Sequence, residues 1–240
     1  MSFIQQIQER CAALSEAEYD YTNTSDFTAC NTLNDDCNAI VMEATVIYLE
    51  IKNINVMLKT GKRLTSRIYK IYYNALNKVC QETGGHLNCY SPHSFLLIYP
   101  KSKYDMTYVV DVALKIANLL SVDLKDTFEK HGHNNFSMGI DNGNILGTKT
   151  GNDLNSNQLS WFGNSIEKAR TICNLCQRPF FVGISGTVFH HLDDSLKKIN
   201  NPILGIRSEV DIWSRVSYLF ENVNNHLYQT NFRKSFSDEE

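Results

Sequence analysis

Ala44-Thr45-Val46-Ile47-Tyr48-Leu49-Glu50-Ile51 decides how this chain folds, together with Gly84-Gly85-His86-Leu87-Asn88-Cys89-Tyr90-Ser91-Pro92-His93-Ser94-Phe95-Leu96-Leu97-Ile98-Tyr99-Pro100 further on. The first run is apolar and β-branched. It predicts a strand over 43–51 that delivers the Glu50 carboxylate at its end. Between the two runs, Leu64, Ile68, Tyr72, Ala75, Leu76 and Val79 recur at helical spacing, and Gly84-Gly85 stops that helix. Residues 86–90 and 94–99 then alternate as a hairpin, with Ser91-Pro92-His93 as its turn. A carboxylate at a strand end and a polar hairpin tip are thereby separated by one helix.

Outward from this centre, residues 1–18 read as an amphipathic helix carrying Phe3, Ile4, Ile7, Cys11 and Leu14. Residues 19–38 are polar and poorly patterned, a linker or arm. A helix is expected over 105–120, and 121–133 shows little pattern, with His131-Gly132-His133 read as loop. Phe136–Asp141 reads as a strand, Gly143–Gly147 as a turn into another, and Gln158–Phe162 as a strand ending at Gly163. A helix follows from Asn164 to about Leu175. Phe180–Ser185 is again a strand and Gly186–Leu192 a short helix. Short strands are expected near Val210–Trp213 and Tyr218–Phe220. The elements predict an α+β domain, a mixed and largely antiparallel sheet covered by helices, over 43–222. Residues 1–42 form an N-terminal helix and polar arm, and 223–240 a C-terminal tail.

Composition narrows the class. An apolar fraction of 42% over 240 residues supports a real core. A net charge of -3 and a pI near 6.2 point away from nucleic acid and anionic membranes. Met1-Ser2-Phe3-Ile4-Gln5 lacks the basic start of a signal peptide, and no apolar run reaches membrane-span length, so a soluble cytoplasmic protein is expected. The seven cysteines are then expected to be reduced. Cys173-Asn174-Leu175-Cys176 lacks the second ligand pair of a zinc site and reads as helix packing. His190-His191 with Asp193-Asp194 reads as surface, and Gly143–Gly147 lacks the Lys and Ser/Thr of a phosphate loop.

The ordered landmarks resemble the class III nucleotidyl cyclase domain, and more narrowly the bacterial Pycsar-type pyrimidine cyclases of antiphage defence. They are Ala44–Tyr48, Arg67-Ile68-Tyr69-Lys70, Gly84-Gly85, Met138-Gly139-Ile140-Asp141 with Gly143, and Trp161-Phe162-Gly163, within residues 43–190. The resemblance implies a ferredoxin-like unit working as a head-to-tail homodimer with its site between protomers. Such sites use carboxylate-bound divalent metals to activate the ribose 3′-hydroxyl of a nucleoside triphosphate. The product would be a 3′,5′-cyclic nucleotide from UTP or CTP, read by an effector protein encoded nearby.

Carried onto this chain, the metal positions fall on Glu50, the backbone of Ile51, and His93. His93 stands where the family has a carboxylate, so Mn²⁺ is expected over Mg²⁺. The transition-state positions fall on Glu167, in place of Asn, and on Thr171, in place of a basic residue. Arg170 and Lys168 are the nearby cations, and Trp161 with Lys168 would contact substrate. Glu167 and Arg170 also stand three apart on a helix, the spacing of a simple ion pair. Two readings remain open: a cyclase with a substituted site, or a catalytically inactive pseudo-cyclase acting as nucleotide sensor or partner subunit.

Overall fold

A computed structural model describes residues 2–33, 38–91, 93–132, 135–150, 158–201 and 208–239. The chain opens with α1 (Phe3–Glu16), β1 (Asp20–Asn23), a 3₁₀ turn (Phe27–Thr32) and the long β2 (Asn38–Ile51). Next come α2 (Ile54–Thr60), α3 (Lys62–Thr83) and the hairpin β3 (His86–Ser91) and β4 (Ser94–Pro100). α4 (Met106–Asn118) passes through a π turn (Leu119–Asp123) into α5 (Lys125–Glu129). β5 (Phe136–Thr150), β6 (Gln158–Phe162), α6 (Asn164–Leu175), β7 (Val182–Ser185) and α7 (Gly186–His191) follow. β8 (Lys198–Asn201) and β9 (Ser208–Asp211) make a separate ribbon, and β10 (Ser214–Phe220) and β11 (Val223–Thr230) return to the main sheet.

The main sheet runs β10-β11-β7-β5-β2-β4-β3, with β1 added to β2 and β6 to β5. Among the described strands, only β5–β7 and β1–β2 are parallel. β2 is its spine. It pairs with β5 from Ala39 to Ile51 and with β4 from Ala44 to Glu50, and β1 pairs with it at Asn38–Val41.

Alternation along β2 sorts its side chains between two cores. Ile47, Leu49 and Ile51 pack with Ile68, Tyr72 and Leu76 of α3 and Val109, Val112 and Ala113 of α4. Ile40, Met42, Ala44, Val46 and Tyr48 pack with Ile166, Ala169 and Cys173 of α6. Glu50, next in the even series, comes out at the end of the α6 face. α6 reaches the sheet because Gly139 leaves room for it. A β-carbon there would stand 1.9 Å from the Ala169 carbonyl oxygen. Gly84, at φ 74°, caps α3 in the left-handed conformation that glycine takes without strain.

Three expectations change. Gly143–Gly147 is not a turn: β5 runs through it, held by β2 on one edge and by β6 from Leu146 onward on the other. The arm over 19–38 carries β1 and a 3₁₀ turn that lays Phe27, Cys30 and Leu33 on the α6-face core. Residues 223–230, within the segment set apart as a tail, form β11 between β7 and β10. His133 and Pro92 lie outside the described residues.

Candidate functional site

The end of β2 and the tip of the β3–β4 hairpin meet as the sequence predicts. Glu50 is paired with Ser94, and the Ile51 N–H donates to the His93 carbonyl at 2.8 Å. Glu50, Ile51 and His93 thus share one end of the sheet. The Ile51 side chain is buried in the core, which leaves its backbone as the part able to face a ligand. The His93 Nδ1 lies 3.5 Å from the Ser91 hydroxyl, itself 2.6 Å from the Ser94 hydroxyl.

The Glu50 carboxylate already has a cation. Lys52 Nζ stands 3.3 Å from its Oε2, and both side chains are about one-fifth exposed, at 21% and 19%. The same ammonium donates to Asn174 Oδ1 of α6 at 3.1 Å. A divalent ion at its usual distance of about 2.0–2.6 Å from a carboxylate oxygen would stand against that ammonium. His93, the residue at the hairpin tip next to Glu50, offers an imidazole and not a second carboxylate. Among the described residues no three His, Cys, Asp or Glu side chains come together as a metal group. The donor set therefore does not fit a pair of divalent metals.

α6 supplies the other half of the expected site. Glu167 accepts from the Tyr90 hydroxyl at 3.2 Å and pairs with Arg170 at 3.4 Å. Tyr90 is edge-on to Tyr48, with ring centroids 5.6 Å apart. The Tyr90–Glu167 hydrogen bond thus ties α6 to β3 within one chain, while Glu167–Arg170 is a pair within α6, in a half-exposed setting where it adds little stability. The Thr171 hydroxyl donates to the Glu167 carbonyl at 2.9 Å and is spent on its own helix. Lys168 is half-buried, and its charge favours the ionised form of Asp141. Trp161 is 2% exposed. Its indole meets Phe27 edge-on at 5.9 Å and His86 at 6.4 Å, so its contacts are with protein.

Beside α6 lies a polar group the sequence did not single out. Asp141 and Ser165 are each 4% exposed and Tyr218 9%. Asp141 Oδ1, the Ser165 hydroxyl and the Tyr218 hydroxyl have no hydrogen-bond partner among the described residues. Burial pushes the Asp141 carboxyl above its ordinary range, against the opposing pull of the Ser185 hydroxyl and Lys168. Burial also raises the Cys173 thiol to about 11 and the Cys176 thiol to about 12, which leaves both protonated and inert.

Sequence reasoning missed Lys52, Asn174, Tyr90 and Asp141. The first was legible: residues two apart on an extended strand project to the same side, so Lys52 follows Glu50 onto one face. Tyr90–Glu167 spans 77 residues of chain, and no local pattern announces it.

No protein-family model and no curated protein sequence matches the chain. Solved structures do. The guanylyl cyclase Cya2 superposes with a TM-score of 0.64 at 11% identity, over 82% of this chain and 96% of that one. The adenylyl cyclase CyaB from P. aeruginosa gives 0.62 at 13%, over 80% and 95%. A class III adenylyl cyclase-like ATP-binding protein from Pseudomonas aeruginosa gives 0.64 at 13%, over 78% of this chain and 42% of that one. With its hairpin tip beside the end of β2 and α6 seated on Gly139, the chain has the fold of a class III nucleotidyl cyclase catalytic domain.

Proposed function

We propose that this protein is a cyclase-fold regulator, a pseudo-cyclase that works as a nucleotide sensor or as the partner subunit of another cyclase domain. The observation that carries the reading is the Lys52–Glu50 pair, an ammonium held against the carboxylate that the resemblance assigns to a metal. Glu167 and Thr171 support it. In place of a neutral donor and a cation they offer a carboxylate held by Tyr90 and a hydroxyl held by the helix. Loss of one preorganised donor typically costs about 2.7–4 kcal/mol of transition-state stabilisation, and several positions differ here together. The dimer implied by the resemblance supplies the partner: a second copy of this chain or a related cyclase domain.

A second reading is turnover. The backbone register that sets Glu50 beside His93 favours it. In that reading UTP or CTP becomes a 3′,5′-cyclic nucleotide in antiphage signalling, with Mn²⁺ as the metal and a nearby effector as receiver. One experiment separates the readings. The purified chain is incubated with each of the four nucleoside triphosphates and Mn²⁺ or Mg²⁺, and product is followed by mass spectrometry. The pseudo-cyclase reading expects no cyclic product above the no-protein control. It also expects nucleotide binding that EDTA leaves unchanged in calorimetry. Brisk cyclic product with Mn²⁺ would establish turnover instead.

A further inference from the structure

On the face of the molecule opposite α6, α3 is exposed along one side, and that side is basic. Arg63, Arg67, Lys70 and Lys78 follow one another at helical spacing, with Asn74 between them, and all are exposed. Lys78 pairs with Glu82 at 2.6 Å. Arg63, Arg67 and Lys70 form no ion pair among the described residues. In a chain of net charge -3, this is a local concentration of positive charge and not a general property.

The cations rim a groove of about 1150 Å³. Its floor is apolar, built from Ile71, Ala75 and Val79 of α3, and from Leu119 and Leu124 across the π turn. Phe236 closes one side. Its ring lies 5.7 Å from the Lys115 ammonium, and the residues after it in sequence are Ser237-Asp238-Glu239-Glu240. The chain thus brings an aromatic side chain to the edge of this groove.

We infer that the groove is a docking site for an acidic amphipathic helix of a partner protein. Two features select that occupant. The floor asks for apolar anchors at i, i+3, i+4 and i+7, the way a helix lies in a groove. The rim asks for carboxylates flanking them, and the run from Arg63 to Lys78 is about 22 Å long, the length of a four-turn helix. A nucleic acid would want the cations without the apolar floor, together with a basic overall charge.

The test uses the full chain and a fluorescein-labelled peptide of about 16 residues, long enough to match the stripe. Leu is placed on one face and Glu on its flanks, and binding is read by anisotropy. Binding with a Kd of about 10 µM or tighter is expected. It should weaken about tenfold or more between about 50 mM and about 0.5 M NaCl, because the rim contacts are exposed. A peptide with Ser for Leu should not bind, nor should one with Lys for Glu. The triple variant Arg63→Glu, Arg67→Glu, Lys70→Glu should lose the Glu peptide and gain the Lys peptide. That gain also shows that the variant is folded. The inference is overturned if the Glu peptide fails to bind, or if the triple variant binds it unchanged. It is equally overturned if a DNA duplex binds the groove as tightly as the peptide.

Discussion

Lys52 gives Glu50 a positive partner that chelation cannot remove. With Asn174 on its other side, the ammonium is held between β2 and α6. Lys52→Ala leaves Glu50 without its counter-charge in a mostly buried place. A destabilisation of about 1–3 kcal/mol is expected in urea melts. The same variant should bind Mn²⁺ more tightly than the parent in calorimetry, because the carboxylate is freed. Unchanged Mn²⁺ affinity would mean that the ammonium is not what excludes the metal. A different residue sets a pH dependence. The Asp141 carboxyl has a raised pKa in the folded chain, against an ordinary value of 3.8. As pH climbs past that value the unfolded chain gives up this proton first. Stability therefore falls until the pH passes the folded value, and stays lower above it. Asp141→Asn should remove this fall and melt higher than the parent at pH 7. A variant less stable than the parent at pH 7 would show that the charged form of Asp141 is the one the fold needs.

α6 is the element that joins the two halves of the site, and its seat is Gly139. A methyl group there meets the Ala169 carbonyl oxygen and the Cys173 amide, both backbone atoms that move only if the helix moves. Gly139→Ala is expected to cost about 2–3 kcal/mol, near the upper end of overpacking penalties. A circular-dichroism melt against the parent measures it, and a melting point within error of the parent would mean that α6 does not press on β5. The elements themselves were largely legible. The helix predicted from Asn164 to about Leu175 is α6 as found, and the predicted hairpin is β3 and β4 with its tip in place. Both follow from patterns within a few residues: a helical period that opens just after Gly163, and alternation around a turn. What stayed hidden depends on distant pairing. Phe27 stacks on His86 at 4.6 Å from an arm with no apolar period of its own. The Gly143–Gly147 stretch reads as a turn by composition, yet β2 and β6 hold it extended from either side. The Glu50–His93 neighbourhood was likewise visible because a strand end and a hairpin tip define it. Of the partners that give these residues their state, Lys52 was within reach of the same local pattern, whereas Tyr90 and Asn174 came from the assembled fold.

Across the whole molecule the first and last elements are built differently, and that difference is testable. α1 has a capping box of Ser2 with Gln5, but none of its residues is buried, and Phe3 and Ile4 are 75% and 64% exposed. It adds little to the core, so removing residues 1–18 should shift the melting point by less than about 2 °C. β11 looks no more apolar, with Val223-Asn224-Asn225-His226-Leu227-Tyr228-Gln229-Thr230 as its sequence. It nevertheless stands inside the sheet, bonded to β7 on one edge and β10 on the other. Leu227 is fully buried in a cluster with Ile172 of α6 and Cys176 just after it, and the Tyr228 ring stacks on Phe189 of α7 at 3.7 Å. Removing residues 223–240 would strand β10, open an edge of β7 and uncover the underside of α6. The expected product is insoluble, or soluble without a cooperative melt, because an unpaired interior edge is also a template for aggregation. The pair of truncations is the informative comparison. If both chains fold equally well, the strands after β7 are an appendage and the sheet is complete without them. If only the first folds, the sheet rests on a strand whose polar sequence gives no sign of its place between two neighbours.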